Sequence, residues 1–458
     1  MHLLTLLLVL MFALVIAYFC YCVYFYGGRW VANPYNPRIS SRKQHVVMGT
    51  LTDRDGTVLA YTDEDGQRRY NNSADTRKAV CQVVGDSGGK VSTGADTFHA
   101  QFLLGFRSSI FERLADAFTG TTQRGDDVRL TISERLSRYI SEQFPKGKRG
   151  AVVVLNYKTN EILAMVSMPQ FDPTNMDSAL SDEAAGALIN RATQGLYPPG
   201  STFKTVTALA GMEYLSDWQS FQVECTGERV FQDKVIHCYN NKVHGMVDMK
   251  SALAYSCNCY FAALADEIGA GKLAKTMWQV GMDADSRFEL ETSRNSIYLA
   301  KGATESELVE TAIGQGRTGV TPLYMAMLAS AFANDGMMMK PYIVDHVVYP
   351  DGTETKNTVP EKLTEICTAE EAAAIKDMMI GVVSGGTGTA AAINGVTVAG
   401  KTGTAENATG YDHSWFIGFA PAENPKVAVA VVIENANYGS ATPIAGKVMQ
   451  AALAELEK

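Results

Sequence analysis

Tyr197-Pro198-Pro199-Gly200-Ser201-Thr202-Phe203-Lys204 leads into the apolar run Thr205-Val206-Thr207-Ala208-Leu209-Ala210, and its reading decides the fold. Pro198, Pro199 and Gly200 are poor helix-interior residues, so the helix predicted over 201–214 starts at or just before Ser201. Ser201 and Lys204 are three residues apart, which puts both side chains on one face, one turn from each other. At a helix N-terminus, free N–H groups and the dipole favour developing negative charge. A serine alcohol is a weak nucleophile until a base takes its proton, and lysine serves when burial or a second cation lowers its pKa. Taken alone, the pair also fits a capping serine beside a solvated lysine. The decision therefore rests on what lies downstream.

Two further strings follow in order. Ser256-Cys257-Asn258 sits in Ala254-Tyr255-Ser256-Cys257-Asn258-Cys259-Tyr260-Phe261, where two polar side chains stand among apolar ones. Burying them requires partners, whether in a proton relay or in a satisfied structural pair. Lys401-Thr402-Gly403-Thr404 follows the alternating Val396-Thr397-Val398-Ala399 and reads as strand, with charge, two hydroxyls and a glycine that lets another backbone approach. The order is S-x-x-K, S-x-N, K-T-G. The segment from Gly395 to Thr402 also matches G-x-x-x-x-G-K-[ST] letter for letter. A phosphate-binding loop must follow a strand and open a helix; here the spaced residues read as the strand itself, so nucleotide binding is rejected.

Outward from these motifs, 151–155 and 162–166 are apolar runs around Lys158-Thr159-Asn160, a buried hairpin. Helices are predicted over 110–118, 133–144 with Ser133 as cap, 182–194, 251–268, 322–333 and 368–382, and from 443 onward. Strands are predicted at 396–401, 414–420 and 427–433. Earlier, 46–61 reads as two strands around Asp53-Arg54-Asp55-Gly56, and 62–95 is polar, with Asp86-Ser87-Gly88-Gly89 as a loop. Pro145-Lys146-Gly147 reads as a boundary. The fold class is α/β (α+β): an antiparallel sheet between helical layers, with a small N-terminal part.

Residues 3–26 contain no Asp, Glu, Lys or Arg, a run long enough for a hydrocarbon core of roughly 30 Å. Tyr18, Tyr21, Tyr24, Tyr26 and Trp30 crowd its end like an interfacial belt, and a retained single-span anchor is expected rather than a cleaved signal. Arg29, Arg38, Arg42 and Lys43 follow the span; taken literally they would keep the body inside the cell, but long domains translocate regardless of charge. A formal net charge of −9 argues against a nucleic-acid partner. Eight cysteines in 458 residues are too few for a disulfide scaffold. Cys20 and Cys22 lie in the span, and Cys81, Cys257, Cys259 and Cys367 read as small apolar side chains. Cys225, His237, Cys238 and His244 fall within twenty residues and fit a zinc site, a Cys225–Cys238 disulfide, or neither.

With these residues in place, the chain resembles the class B penicillin-binding proteins, monofunctional D,D-transpeptidases of peptidoglycan synthesis. The resemblance includes the hairpin from Gly150, Asn190-Arg191-Ala192 before Tyr197, Ala312-Ile313-Gly314-Gln315-Gly316, and His413-Ser414-Trp415-Phe416-Ile417-Gly418-Phe419. It spans nearly all of 148–458. In the membrane-proximal part it rests on the segment from Gly49 to Gly56, with Met48 where an arginine is usual. It implies an anchor at 3–26, a non-catalytic domain at 27–147 and a transpeptidase domain at 148–458, the last outside the cytoplasm.

By residue, the resemblance makes Ser201 the nucleophile and Lys204 its base. Ser256 and Lys401 assist proton transfer, and Asn258 holds the substrate backbone. Thr402 and Thr404, beside Gly403, bind the terminal carboxylate of a D-Ala-D-Ala stem peptide or of a β-lactam. The N–H groups of Ser201 and Thr404 form the oxyanion hole. No cofactor is implied. Residues 27–147 are too few for a glycosyltransferase domain, which implies a separate membrane glycosyltransferase partner. A D,D-carboxypeptidase, a β-lactamase or β-lactam sensor shares this site, and a vestigial scaffold is the non-enzyme alternative. Against a lactamase, Glu291-Thr292-Ser293-Arg294-Asn295 has the wrong spacing for the E-x-x-L-N element.

Overall fold

The computed structural model describes residues 2–31, 37–43, 45–106, 123–181, 186–232, 234–299, 302–355, 357–407, 410–436 and 438–457. Its centre is a five-stranded, fully antiparallel sheet in the order Ala399–Ala405, His413–Ala420, Val427–Ile433, Gly150–Asn156, Ile162–Met168. The expected hairpin therefore lies beside the last strands of the chain, and helices of the intervening segment pack on the sheet. Val427–Ile433 is buried at every residue, which is why it reads as continuous apolar sequence rather than an alternation.

Each face has its own core. Phe203, Leu209, Phe261, Leu328, Trp415 and Ile417 belong to one cluster, built with helices Lys204–Tyr214, Asn258–Ile268 and Pro322–Ala333. Leu136, Ile140, Phe416, Val429, Val448 and Met449 belong to the other, built with Glu134–Gln143 and Ala441–Leu456. The expected layering of sheet between helices is what forms. Ser133 caps its helix by accepting from Leu136 N, and Thr368 caps Ala369–Ser384 in a reciprocal pair with Glu371.

A second five-stranded sheet combines Leu51–Thr52, Val58–Thr62, Arg68–Tyr70 and Asp127–Leu130 with Val344–Val348, a strand contributed from far downstream. Several details depart from the sequence reading. The polar stretch 62–95 holds strand Arg68–Tyr70 and helix Ala74–Ala79, which Ser73 caps, elements not expected there, while 86–89 is the expected loop. Among the described residues of the helix expected over 182–194, Arg191–Gln194 is helical: Gly186 has φ +63°, a turn follows it, and Asn190 caps the short helix. The strand expected at 396–401 runs instead over Ala399–Ala405, because Gly395 at φ +73° turns the chain and Ile393 bridges to Val396. The helix expected over 110–118, and residues 182–185, lie outside the described residues.

The N-terminus forms the helix His2–Val31, in which Leu3–Cys22 is long and apolar enough to cross a bilayer and none of it is buried. Tyr18 and Tyr21 are exposed on it. The side chains of Tyr24, Tyr26 and Trp30, the rest of the expected belt, lie outside those described.

Candidate active site

Residues 200–214 run without interruption from a tight first turn, Gly200–Phe203, into the helix Lys204–Tyr214. Three contacts fix that entry. Gly200 N donates to Gly314 O at 2.8 Å, and Trp415 Nε1 donates to Pro198 O at 3.1 Å. Gly200 itself has φ +54°, and a Cβ there would sit 2.2 Å from Thr404 O. Only glycine permits both the left-handed backbone and this approach to the K-T-G strand. Gly403 plays the matching part from the strand side: a Cβ would meet Thr202 Cγ2 and Trp415 Cβ at 2.9 Å. Its small size serves the seam between strand and helix.

The second motif departs from expectation in a useful way. The helix expected over 251–268 is two helices, Met249–Tyr255 and Asn258–Ile268, because Ser256 adopts φ +58°. A non-glycine residue in the left-handed region costs of order 1–2 kcal/mol and persists only where surroundings hold it. The break lets Ser256 and Asn258 reach the same point.

At that point Lys204 Nζ lies 3.0 Å from Ser201 Oγ, 3.2 Å from Ser256 Oγ and 2.8 Å from Ser256 O, and it also donates to Asn258 Oδ1. Lys401 Nζ lies 3.0 Å from the same Ser256 Oγ and 3.1 Å from Thr402 O. One hydroxyl thus bridges two lysine nitrogens, and Ser201 contacts one of them. Both lysine side chains are fully buried. Burial pushes Lys204 down from the ordinary lysine value to about 8. Burial, and then the neighbouring Lys204 charge, hold Lys401 well below its ordinary value. Burial is the first cause of both shifts, and for Lys401 the nearby Lys204 charge adds to it.

In front of the lysines opens a cleft of about 590 Å³, lined among others by Ser201, Ser256, Asn258, Thr402, Thr404 and Gln315. Ala399–Ala405 is the edge strand of its sheet, so an extended peptide can pair with its free side. Sequence reasoning missed three contributors. Thr387 Oγ1 lies 2.6 Å from Thr402 Oγ1 and orients it; its signal was the turn-forming Gly385-Gly386-Thr387-Gly388. Tyr239 and Tyr438 stack at 4.6 Å at the cleft wall, a pairing with no sequence signal. Glu289 is not among the lining residues: it is half-buried, accepts from Ile343 N at 2.7 Å, and is pushed up to about 7 by desolvation. It is not placed to activate a deacylating water.

Of the four metal candidates, Cys225, Cys238 and His244 converge, and Cys257 joins them. His237 does not: it precedes Cys238, so its side chain points the other way, to a half-exposed site 3.4 Å from Glu228. Its carbonyl is used instead, accepting from Asn258 Nδ2 at 2.7 Å. Cys257 and Cys259, read as apolar packing, are buried and lie against this thiol group.

Residues 150–453 match the penicillin binding protein transpeptidase domain. The chain is 34% identical over 465 residues to the peptidoglycan D,D-transpeptidase PbpA of Mycolicibacterium smegmatis, covering 93% of this chain and 92% of that protein. It is similar to the structure of penicillin-binding protein A from M. tuberculosis as its penicillin G acyl-enzyme complex, with TM-score 0.80, 31% identity and coverage of 89% and 99%. It is also similar to the D,D-transpeptidase domain of a peptidoglycan glycosyltransferase from Eggerthella lenta, with TM-score 0.78, 32% identity and coverage of 90% and 99%. The match over 150–453 and a relative 34% identical along nearly its whole length show that the chain belongs to the penicillin-binding protein transpeptidase family.

Proposed function

We propose that this chain is a peptidoglycan D,D-transpeptidase that works through an acyl-enzyme on Ser201. Ser201 Oγ attacks the carbonyl of the penultimate D-alanine of a stem peptide, and Lys204 Nζ takes the hydroxyl proton. The N–H groups of Ser201 and Thr404 stabilise the oxyanion, each such donor supplying about 3 kcal/mol. The C–N bond then breaks. D-Alanine leaves with a proton relayed through Ser256 from the lysine pair. An amine of a neighbouring stem peptide attacks the ester carbonyl, the bond from Ser201 Oγ to the acyl carbon breaks, and the amine's proton returns by the same path to Ser201 Oγ, leaving the new peptide bond. Asn258 holds the donor backbone, and Thr402 and Thr404 hold its terminal carboxylate. A β-lactam enters as a mimic of that donor and stays as a stable ester.

The observation that carries this reading is the contact of Lys204 Nζ with both Ser201 Oγ and Ser256 Oγ, with Lys401 Nζ on the far side of Ser256. In this reading Leu3–Cys22 anchors the chain and the catalytic body lies outside the cytoplasm, where peptidoglycan is. Residues 27–147 serve as the membrane-proximal part, and a separate membrane glycosyltransferase supplies the glycan strands. The test is labelling of the full-length enzyme in detergent with a fluorescent penicillin. A stable adduct is expected that vanishes in Ser201→Ala, a loss of at least about 10⁴-fold in acylation rate. Rapid release of hydrolysed penicillin would instead mark a β-lactamase.

A further inference from the structure

Behind the nucleophile turn, one carboxylate gathers two buried donors. Glu434 directly follows the central strand Val427–Ile433, and its N–H donates to Arg149 O at 2.8 Å, which fixes its backbone to the sheet. Its Oε1 accepts from Arg191 Nε at 2.8 Å and from Tyr197 Oη at 2.7 Å. Arg191 and Tyr197 are both buried, and none of the three residues lines the cleft. We infer that Glu434 positions the nucleophile: its carboxylate pins Tyr197, the first residue of the stiff arm that carries Ser201. This role rests on the transpeptidase reading of Ser201.

The arm is short and has little freedom. Tyr197 is followed by Pro198 and Pro199, whose rings hold φ at about −65°. Gly200 then turns the chain into Ser201 at φ +54°. A rotation at Tyr197 is therefore carried to Ser201 rather than absorbed on the way. Two backbone bonds already hold Tyr197: its N donates to Val320 O at 3.0 Å, and its O accepts from Val320 N at 2.8 Å. Both lie on one edge of the residue and leave rotation about that edge free. The bond from Oη to Glu434, at the far end of the ring, removes it. Edge contacts with Trp415 and His413, at centroid distances of 6.0 and 5.4 Å, hold the plane of the ring.

The chemistry of the contact suits a fixed pin. A carboxylate acceptor makes a hydrogen bond roughly twice as strong as a neutral one. Burial, and then the Glu434 charge, raise the Tyr197 phenol above its ordinary value, so it stays protonated and donates. Gly195 makes room for the ring: a Cβ there would sit 2.5 Å from Tyr197 Cε2 and 2.7 Å from its Oη. Gly195 has φ −70°, so space and not backbone freedom requires the glycine. Arg191 balances the carboxylate, and its own N–H donates to Ser167 Oγ on strand Ile162–Met168 at 2.9 Å. The arm is thereby tied to the central strand of the sheet and to an edge strand.

The test is time-resolved acylation of the full-length enzyme in detergent by a fluorescent penicillin over a range of concentrations. It separates the labelled fraction, the half-saturating concentration and the limiting rate. Tyr197→Phe keeps the ring and removes the pin. The limiting rate should fall about tenfold, short of the roughly hundredfold loss that a misplacement of about 1 Å brings, while the other two quantities hold. A merely structural role would lower the labelled fraction and leave the rate of the remaining enzyme intact, and that result would overturn the proposal. Glu434→Gln still offers an oxygen to the phenol and should keep most of the rate, losing about threefold. Because Glu434 acts through Tyr197, the double variant should lose about tenfold, as Tyr197→Phe does alone. A loss of about thirtyfold, the product of the two single losses, would mean that they act separately and would overturn the pin. An unchanged limiting rate in Tyr197→Phe would do the same. Unmodified enzyme that takes no label would instead sink the transpeptidase reading, so the two failures give different results.

Discussion

The two walls of the cleft are held by different physics. On one side, the nucleophile turn Gly200–Phe203 is wedged against strand Ala399–Ala405 within a large apolar core, with Phe203 and Trp415 almost fully buried. On the other, the ribbons of 223–247 expose Val230, Val243 and Met246 and bury only a thin layer. Close packing transmits sub-ångström constraints, because a dense interior has few alternative arrangements. A thin ribbon has no such interior and takes its geometry from a few point attachments. The seam should therefore be intolerant of small changes throughout, and the ribbon intolerant only at its attachments.

The largest effect separates chemistry from packing within the seam. Lys204→Met keeps the volume and removes the buried amine. Acylation by penicillin should fall by about 10³-fold, the loss typical of a general base. Thermal stability should hold or rise, because a buried cation is costly to keep. The unmodified enzyme should show the base in its pH profile. The amine must be neutral to accept a proton, and burial lowers it to about 8. The acylation rate should accordingly be low below pH 8 and rise through it to a plateau. Between pH 8 and the unfolded lysine value the native state binds fewer protons than the unfolded chain, so this group makes stability increase with pH there. A flat acylation profile from pH 6 to 9 would remove Lys204 from the role of base.

Two glycines test the contrast between the walls directly. Gly200 and Gly245 both have positive φ, +54° and +68°, but a Cβ at Gly200 meets Thr404 O at 2.2 Å whereas one at Gly245 meets nothing within 4 Å. Gly245→Ala should carry only the backbone penalty, about 1 kcal/mol, measured by denaturant unfolding. Gly200→Ala carries that penalty plus a carbonyl clash and should cost at least about 3 kcal/mol, with acylation slowed because the turn moves Ser201. Equal costs would mean that the seam yields as easily as the ribbon.

The same contrast explains what was legible in the sequence. The seam is written in short local strings with few alternatives: a serine and lysine one turn apart, the apolar hairpin, and the fully buried Val427–Ile433. Boundaries governed by single backbone torsions were not legible. Ser256 at φ +58° splits a run of good helix formers, and nothing in Ala254-Tyr255-Ser256-Cys257 announces it. Nor did the spacing of Cys225, Cys238 and His244 mark Cys257 as their neighbour, since the four meet only through tertiary packing. His237 was the plausible error: adjacent strand residues face opposite ways, and the register decides which one enters. The partnership of Val344–Val348 with the N-terminal sheet is likewise a long-range pairing that no local pattern encodes.

The smallest expected effect is the sharpest statement about the ribbon. Val230 is 70% exposed in strand Glu228–Phe231, whose partner across the hairpin is Lys234–His237. Val230→Thr keeps the β-branched shape and the strand preference while replacing one methyl with a hydroxyl. An exposed site with no buried contact should change stability by no more than about 0.5 kcal/mol, a melting shift within a degree or two, and leave acylation unchanged. If the ribbon is held by its cysteines and His244, its outward face contributes nothing that this change can remove. A loss above about 1 kcal/mol would show that the apolar outer face of the ribbon is itself packed in the native protein, and the division between a cored wall and a tethered wall would fail.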